Sequence, residues 1–224
     1  MITLAKLPLT VPISIVEELT QYAADSSWRS HFNTLHYQGE WTVLPLRTPE
    51  GKDSIVPDLM GEQAYAETAH MQHFPTVGQL IRSLDCPVQS VRFLNLKAGA
   101  HIKPHRDHEL AFEKGEARLH FPIVTNPHVE FYVEDTRVNM QPGTCWYINA
   151  NLMHRVYNGG TTDRVHLVVD CLVNDWLCDL FGRADKQMKD EEADIEKQRQ
   201  VIAALRLQDT PTATQLADRL ENEL

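Results

Sequence analysis

Two histidines and one carboxylate stand at a spacing that can hold a metal ion: His105 and Asp107, within His105-Arg106-Asp107, and His154 further along the chain. Two imidazoles and a carboxylate can cover one face of an octahedral iron(II), leaving three positions open for substrates. Side chains two apart in an extended segment point the same way. His105 and Asp107 can therefore reach one ion while Arg106 points elsewhere. The third ligand must then come from a distant strand. Cys145–Asn149 is a β-rich run, and His154 follows it closely enough to be expected near that strand's end. In a chain with 11 histidines an H-x-D alone says little. Its weight depends on what surrounds it.

The elements needed to bring these residues together are legible as short strands. Val91–Lys97, Ala117–Val124, Val129–Val133, Cys145–Ile148 and Arg164–Leu172 are β-rich, and Ala98-Gly99, Asn126-Pro127, Gln141-Pro142-Gly143 and Asn158-Gly159-Gly160 punctuate them. Several short strands at this spacing suggest a sandwich or jelly roll, whose open mouth is lined by alternating residues. Upstream, Ile15, Val16, Leu19, Tyr22 and Ala23 recur at helical spacing, and Asp25-Ser26-Ser27 breaks that helix. Tyr37–Leu46 reads as a strand, with Trp41, Val43 and Leu44 as packing residues. Arg47–Asp53 reads as turn chemistry, and a second helix is expected from about Pro75 to Leu84. After Asn174 the chain reads helical and polar. Val201, Ile202, Ala204 and Leu205 form a short apolar stripe, Thr210-Pro211 suits a helix start, and Leu216 and Leu220 follow at i and i+4. The expected fold is mainly β: a jelly-roll core over 85–174, N-terminal α/β support over 1–84, and a helical C-terminal extension over 175–224.

Two strands carry an unusual outer pattern. Along 117–124, Leu119, Phe121 and Ile123 face one side and Arg118 and His120 the other. Along 164–170, Val165, Leu167 and Val169 face one side and Arg164, His166 and Asp170 the other. A single polar face is ordinarily a solvated one. Arg and His recurring together on two strands that flank a candidate metal site suit a pocket for a dianion, since arginine binds carboxylates bidentately.

The runs PHRD (104–107), RLHFPIVTN (118–126), PGTCWYINANLMHRVYN (142–158) and DRVHLVVD (163–170) together resemble the aspartyl/asparaginyl β-hydroxylase family. GEWTVLPLRTPEG (39–51) is similar to its bacterial branch, which includes free-proline cis-4-hydroxylases. The resemblance implies a double-stranded β-helix, a jelly-roll and cupin-like core, and a dioxygenase that depends on Fe(II), 2-oxoglutarate and O2 to hydroxylate an amino-acid C–H bond. By position it implies His105, Asp107 and His154 as iron ligands and Arg164 as the grip on the distal carboxylate of 2-oxoglutarate. It implies His120 as a second cosubstrate contact with Arg118 beside it, and Arg92 as a holder of a substrate carboxylate. His166 and Trp146 are read as packing residues. His101 and His108 flank the motif without its spacing, and His31, His36, His70, His73 and His128 are read as surface or core.

Net charge and cysteine usage narrow the setting. A formal charge of −10 argues against nucleic acid as a partner, because phosphate binding needs clustered Lys and Arg. Residues 175–224 carry 12 acidic and 7 basic side chains, so half of that charge is local. Cys86, Cys145, Cys171 and Cys178 form no C-x-x-C pair and are expected as reduced thiols. With no signal-peptide core and no membrane-length apolar run, they point to a cytoplasmic protein. The expected partner is a small amino acid (proline, or aspartate or asparagine free or within a short peptide), and the C-terminal helices offer a homodimer contact. Two other readings compete: a cupin-like metalloenzyme of another reaction class, and a catalytically silent metal- or ligand-binding domain. The basic pair Arg164 and His120 speaks against the first, and the intact triad against the second.

Overall fold

In the computed structural model, residues 1–22, 27–55, 63–107, 110–208 and 210–222 are described, without the side chains at 191 and 194. The chain divides into two units, Ile2–Gln187 and a smaller one comprising Met1 with Met188–Leu224.

The larger unit begins with strand β1 (Ile2–Leu7), helix α1 (Ser14–Gln21), the short strands β2 (Arg29–Ser30) and β3 (Tyr37–Gln38), and the long strand β4 (Trp41–Pro49). Strand β5 (Tyr65–Glu67), helix α2 (Pro75–Ser83), β6 (Val88–Leu96) and β7 (His101–His105) follow. Then come β8 (Glu116–Val124), β9 (Val129–Val133), β10 (Thr136–Arg137), β11 (Cys145–Ile148), β12 (His154–Asn158) and β13 (Arg164–Leu172). Helix α3 (Asp175–Gly182) and strand β14 (Asp185–Met188) complete the succession before the C-terminal helices.

Among the described residues the strands form two sheets. The larger runs β14-β1-β11-β8-β13-β6-β4-β2, with β5 pairing on β4, and the smaller runs β10-β9-β12-β7-β3. Neighbours such as β13 and β6, β13 and β8, and β12 and β7 pair antiparallel. The architecture is the expected mainly β jelly roll with helices before and after it.

The two faces of the large sheet separate packing from chemistry. Ala117, Leu119, Phe121 and Ile123 of β8 and Val165, Leu167, Val169 and Cys171 of β13 join one apolar core with Ile15 of α1, Val77 and Leu80 of α2, and Leu177, Leu180 and Phe181 of α3. Helix α2 forms as its pattern predicts: Pro75 occupies the first turn, where its missing N–H is harmless, and Val77 and Leu80 share one face. Helix α3 starts at Asn174, whose side chain accepts from the Leu177 N–H, and it seats Phe181 4.2 Å from the Phe112 ring. With the apolar side chains committed to the helices, the alternate residues of β8 and β13 face the other way.

Local differences from the sequence expectations have physical causes. The strand expected over Tyr37–Leu46 is two pieces, because Gly39 takes φ +85°. A Cβ there would lie 2.7 Å from Ala100 Cβ, so the chain can cross from the small sheet to the large one only at a glycine. The turn expected from Arg47 is delayed: β4 continues through Pro49, paired with β5, and the chain reverses at Glu50-Gly51, both with positive φ. His154 does not close the strand at Cys145 but opens β12. Ala23 and the break at Asp25-Ser26 lie outside the described residues.

In the smaller unit, α4 (Glu191–Arg206) and α5 (Pro211–Glu221) pack on each other. Thr210 caps α5 by accepting from the Ala213 N–H, as its sequence predicts. Of the apolar stripe expected, Ile202 is buried, together with Ala213 and Ala217, while Val201 and Leu216 are exposed. Arg206 ties the pair together with contacts of 2.7 Å to both Asp218 and Glu221.

Candidate active site

His105 ends β7 and His154 opens β12, and the antiparallel register sets them directly opposite. Opposed residues share a face, and the two rings lie 4.2 Å apart between centroids. Asp107 sits two residues beyond His105, past the end of the strand. Its N–H donates to Ala150 O (2.9 Å), which ties this turn to the segment leading into His154. One ligand atom from each of the three residues falls within 4.8 Å of the others. The three residues singled out from the sequence are thus brought together.

The hydrogen bonds behind the histidines decide which nitrogens are free to bind an ion. His105 Nδ1 lies 2.9 Å from Lys103 O, and His154 Nδ1 lies 3.0 Å from Leu152 O. A carbonyl oxygen only accepts, so each Nδ1 carries the proton and each Nε2 keeps its lone pair. Burial, and then the neighbouring His105, push the His154 pKa down to about 4, so protons compete weakly for that lone pair. Burial alone would raise Asp107, but Arg118, His154, His105 and Arg92 together outweigh it and hold the carboxyl below its usual range. The donor set fits a divalent transition metal with open positions.

Behind the triad lies a cluster of charges joined by hydrogen bonds. Arg118 forms a fork onto Asp170, from Nε to Oδ1 at 2.6 Å and from Nη2 to Oδ2 at 3.1 Å. Its Nη1 donates to Asp107 Oδ2 at 2.5 Å. Arg92 Nη1 donates to Asp170 Oδ2 at 2.8 Å and also to Ser90 Oγ. Asp170 is buried, yet Arg118 and Arg92 overcome that burial and hold its carboxyl far below the usual range. The strand register explains the cluster, since Asp170 stands opposite Arg118 and Val168 stands opposite both Arg92 and His120.

At the other end of β13 the situation reverses. Arg164 is 2% exposed, and no carboxylate meets it among the described residues. Its Nη2 contacts His166 Nδ1 at 2.8 Å, its guanidinium lies 5.6 Å from the Phe131 ring centre, and its Nε has no partner. Burial without a compensating charge pushes its pKa down to about 9. His120 is buried with both ring nitrogens unpartnered, and burial and Arg164 hold it well below the usual histidine range. An unpaired buried cation beside a neutral imidazole with no partner is an unfinished hydrogen-bond site. The polar faces of β8 and β13 are therefore buried, not solvated.

Several residues have places that the sequence did not show. His166 orients Arg164 rather than merely packing. Asp170 was visible on the polar face of β13, but its link to two arginines needs the pairing register. His31 and His36 stand by the site: the His36 ring is 5.1 Å from that of His105, and His31 feels the charges of Arg92, Asp107, Arg118 and His105. No sequence spacing links residues so far apart. His108 lies outside the described residues.

Residues 13–173 match the family model described as aspartyl/asparaginyl beta-hydroxylase. The chain belongs to the aspartyl/asparaginyl β-hydroxylase family. Two curated relatives from Streptomyces sp., L-proline cis-3-hydroxylase 2 and L-proline cis-3-hydroxylase 1, are 31% and 30% identical over 138 residues. Each alignment covers 59% of this chain and 47% of the relative, so the chain spans about half the length of the curated relatives it matches. Among solved structures, a prolyl-4-hydroxylase of Pseudomonas putida is similar at a TM-score of 0.46 and 12% identity, over 77% of this chain and 92% of that one. The site sits within the stretch matched by the family model. Among the described residues no helix is long and apolar enough to cross a membrane.

Proposed function

We propose that this family member is an iron(II)- and 2-oxoglutarate-dependent dioxygenase that hydroxylates a free amino acid, with L-proline the leading substrate. The observation that carries the reading is the pairing of the His105–Asp107–His154 triad with Arg164, a buried arginine that lacks a carboxylate. A metal site alone suits many reactions. A metal site beside a desolvated, unpaired guanidinium suits a ligand that chelates at one end and carries a carboxylate at the other.

Bound iron(II), with 2-oxoglutarate and O2, would supply the oxidation that releases succinate and carbon dioxide and leaves a hydroxyl on an unactivated C–H bond. The residues divide the remaining work. Arg164 holds the distal carboxylate of 2-oxoglutarate, and His166 holds Arg164 in place. His120 lends a neutral N–H beside it. Arg118, whose three nitrogens are engaged by Asp107 and Asp170, serves the cosubstrate through the metal ligand that it fixes.

Charge balance supports a substrate carboxylate near Arg92. Arg92 and Arg118 are matched by Asp170 and Asp107. Once Asp107 is committed to the metal, one positive charge in the cluster lacks its counterpart, and Arg92 is the arginine not bonded to that ligand. The carboxylate of a zwitterionic amino acid supplies that counterpart locally. The reading confines chemistry to the β body. It leaves the C-terminal helices, with Val201 and Leu216 exposed, as a homodimer contact, and the four free cysteines fit a cytoplasmic setting.

The test is direct. Iron-loaded protein with 2-oxoglutarate is offered a panel of free amino acids, end-blocked peptides and no substrate, and succinate is followed. Stimulation by L-proline, with 3- or 4-hydroxyproline as product, is the expected result. Stimulation only by end-blocked peptides overturns the free-amino-acid reading, and no consumption of 2-oxoglutarate under any condition overturns the oxygenase reading.

A further inference from the structure

We propose that His31 binds the substrate: its Nε2–H donates to the carboxylate of a free amino acid beside Arg92, and its stack with Trp41 forms the flat wall of the substrate pocket. This assignment rests on the oxygenase reading above.

Strand pairing sets the direction of the ring. Ser30 stands opposite Thr42, and the His31 N–H continues the ladder by donating to Trp41 O at 2.9 Å. Trp41 in turn stands opposite Leu96, and Leu96 opposite Arg164. His31 and Trp41 therefore lie in the row that carries Arg164, on the sheet face that bears the site. Their rings stack at 3.6 Å and 9°. Phe32, half exposed, adds a second ring 4.7 Å from His31. The segment is held against the metal rim, where His36 faces His105 and Lys103 Nζ donates to Leu35 O at 3.0 Å.

The hydrogen bonds of the ring leave one donor available. The Asn33 N–H donates to His31 Nδ1 at 3.3 Å, so Nδ1 is the acceptor and Nε2 carries the hydrogen. No protein acceptor meets Nε2–H among the described residues. Burial, and then Arg92, keep the ring neutral at ordinary pH. A neutral donor adds direction to an anion site without adding charge. That matters here, because a metal that takes Asp107 would leave one arginine charge uncompensated, and a second cation would select a dianion. A small zwitterion with an apolar body fits both halves of the wall: its carboxylate between Arg92 and His31, its carbon skeleton against Phe32 and the His31 ring that Trp41 backs.

Three variants separate binding from packing. His31→Phe keeps a flat ring and loses the donor, His31→Gln keeps a neutral donor and loses the ring, and His31→Ala loses both. Iron-loaded wild-type and variant proteins are assayed with L-proline as substrate, with L-prolinamide as competitor, and without substrate to follow the slow decay of 2-oxoglutarate. His31→Phe is expected to raise the KM for L-proline by about tenfold to a hundredfold, the weight of a hydrogen bond to a charged group. The KM for 2-oxoglutarate, the substrate-free decay and the inhibition constant of L-prolinamide should stay within about twofold. His31→Gln should recover most of the proline affinity, and His31→Ala should lose it together with some affinity for the amide. An unchanged proline KM in His31→Phe, or an equal loss for proline and its amide, overturns the assignment and leaves the oxygenase reading standing. Wild-type protein in which no free amino acid stimulates 2-oxoglutarate turnover overturns this assignment together with the free-amino-acid reading.

Discussion

Asp170→Asn tests the cluster that holds Asp107, the carboxylate of the proposed metal site. The carboxylate accepts four hydrogen bonds, two from Arg118 and one each from Arg92 and Ser90. Its side chain is 12% exposed, against 15% for Arg118 and 19% for Arg92, so solvent screens the cluster little. Asparagine is nearly the same size but uncharged, and its amide group would turn donors towards guanidinium donors. Two buried arginines would then face Asp107 alone. Breaking a buried pair by removing one partner typically costs about 3–5 kcal/mol. For a domain of this size each kcal/mol moves Tm by roughly 2–4 °C, so a fall of about 6–20 °C is expected in a thermal melt of the metal-free protein. Loosening Arg118 also frees Asp107, and loss of such an outer partner typically costs roughly 10- to 100-fold in metal affinity. The double variant Asp170→Asn with Arg92→Met should recover part of the stability, because it removes one stranded cation. A single variant that melts within about 2 °C of the parent and binds iron equally well would refute the idea that this cluster holds the site.

Removing a triad member by His105→Ala, Asp107→Ala or His154→Ala should abolish stoichiometric iron binding while the circular dichroism spectrum stays that of the parent; full metal content in both histidine variants would contradict the assignment. Arg164→Lys should raise the KM for 2-oxoglutarate with iron still bound, because a lysine lacks the planar fork; an unchanged cosubstrate affinity would move the role elsewhere. The metal-free protein should lose stability as pH falls from about 6.5. His31, His120, His154 and His166 all have lowered folded-state pKa values, so the unfolded chain takes up protons that the native one refuses. Denaturant midpoints should drop between pH 6.5 and 4, well before the depressed carboxyls of Asp107 and Asp170 are reached, and a flat profile from pH 7 to 5 would count against buried neutral histidines.

Period-two alternation made the body of this fold legible. It separated Leu119 and Phe121 from Arg118 and His120, and that division is the one between the helix-packed core and the site. Motif order pointed to the three residues that the fold brings together, since metal ligation would constrain residue type at each position. Pairing register was not legible, and it decides the rest. That Asp170 meets Arg118, that His154 meets His105, and that His31 reaches the row of Arg164 all follow from which residues stand opposite in different strands. A single sequence states alternation along a strand but not alignment across strands. The delayed turn after β4 has a related cause: Pro49 reads as a turn residue, yet at the end of a strand a proline is tolerated, and only the partner strand β5 reveals it.

The two ends of β13 show how similar residues come to differ in role. Arg118 and Arg92 meet the strand at Asp170 and find a carboxylate there, and Asp107 is the second counterion of the pair. Arg164 begins the same strand, more deeply buried, with no carboxylate among the described residues and with a histidine neighbour that accepts from it but brings no negative charge. Composition would count three arginines on one face and assign them alike. Partnering distinguishes them: a satisfied arginine orients protein groups, whereas an unsatisfied one that stays buried must be held there by the surrounding sheet. That retention has a functional consequence. A guanidinium already stripped of water and fixed in direction loses little further on meeting an anion, so the energy that desolvation would otherwise take from binding has been met in folding. Asp170, six residues further along the same strand, gives its arginines a counter-charge; at Arg164 a ligand carboxylate would supply it.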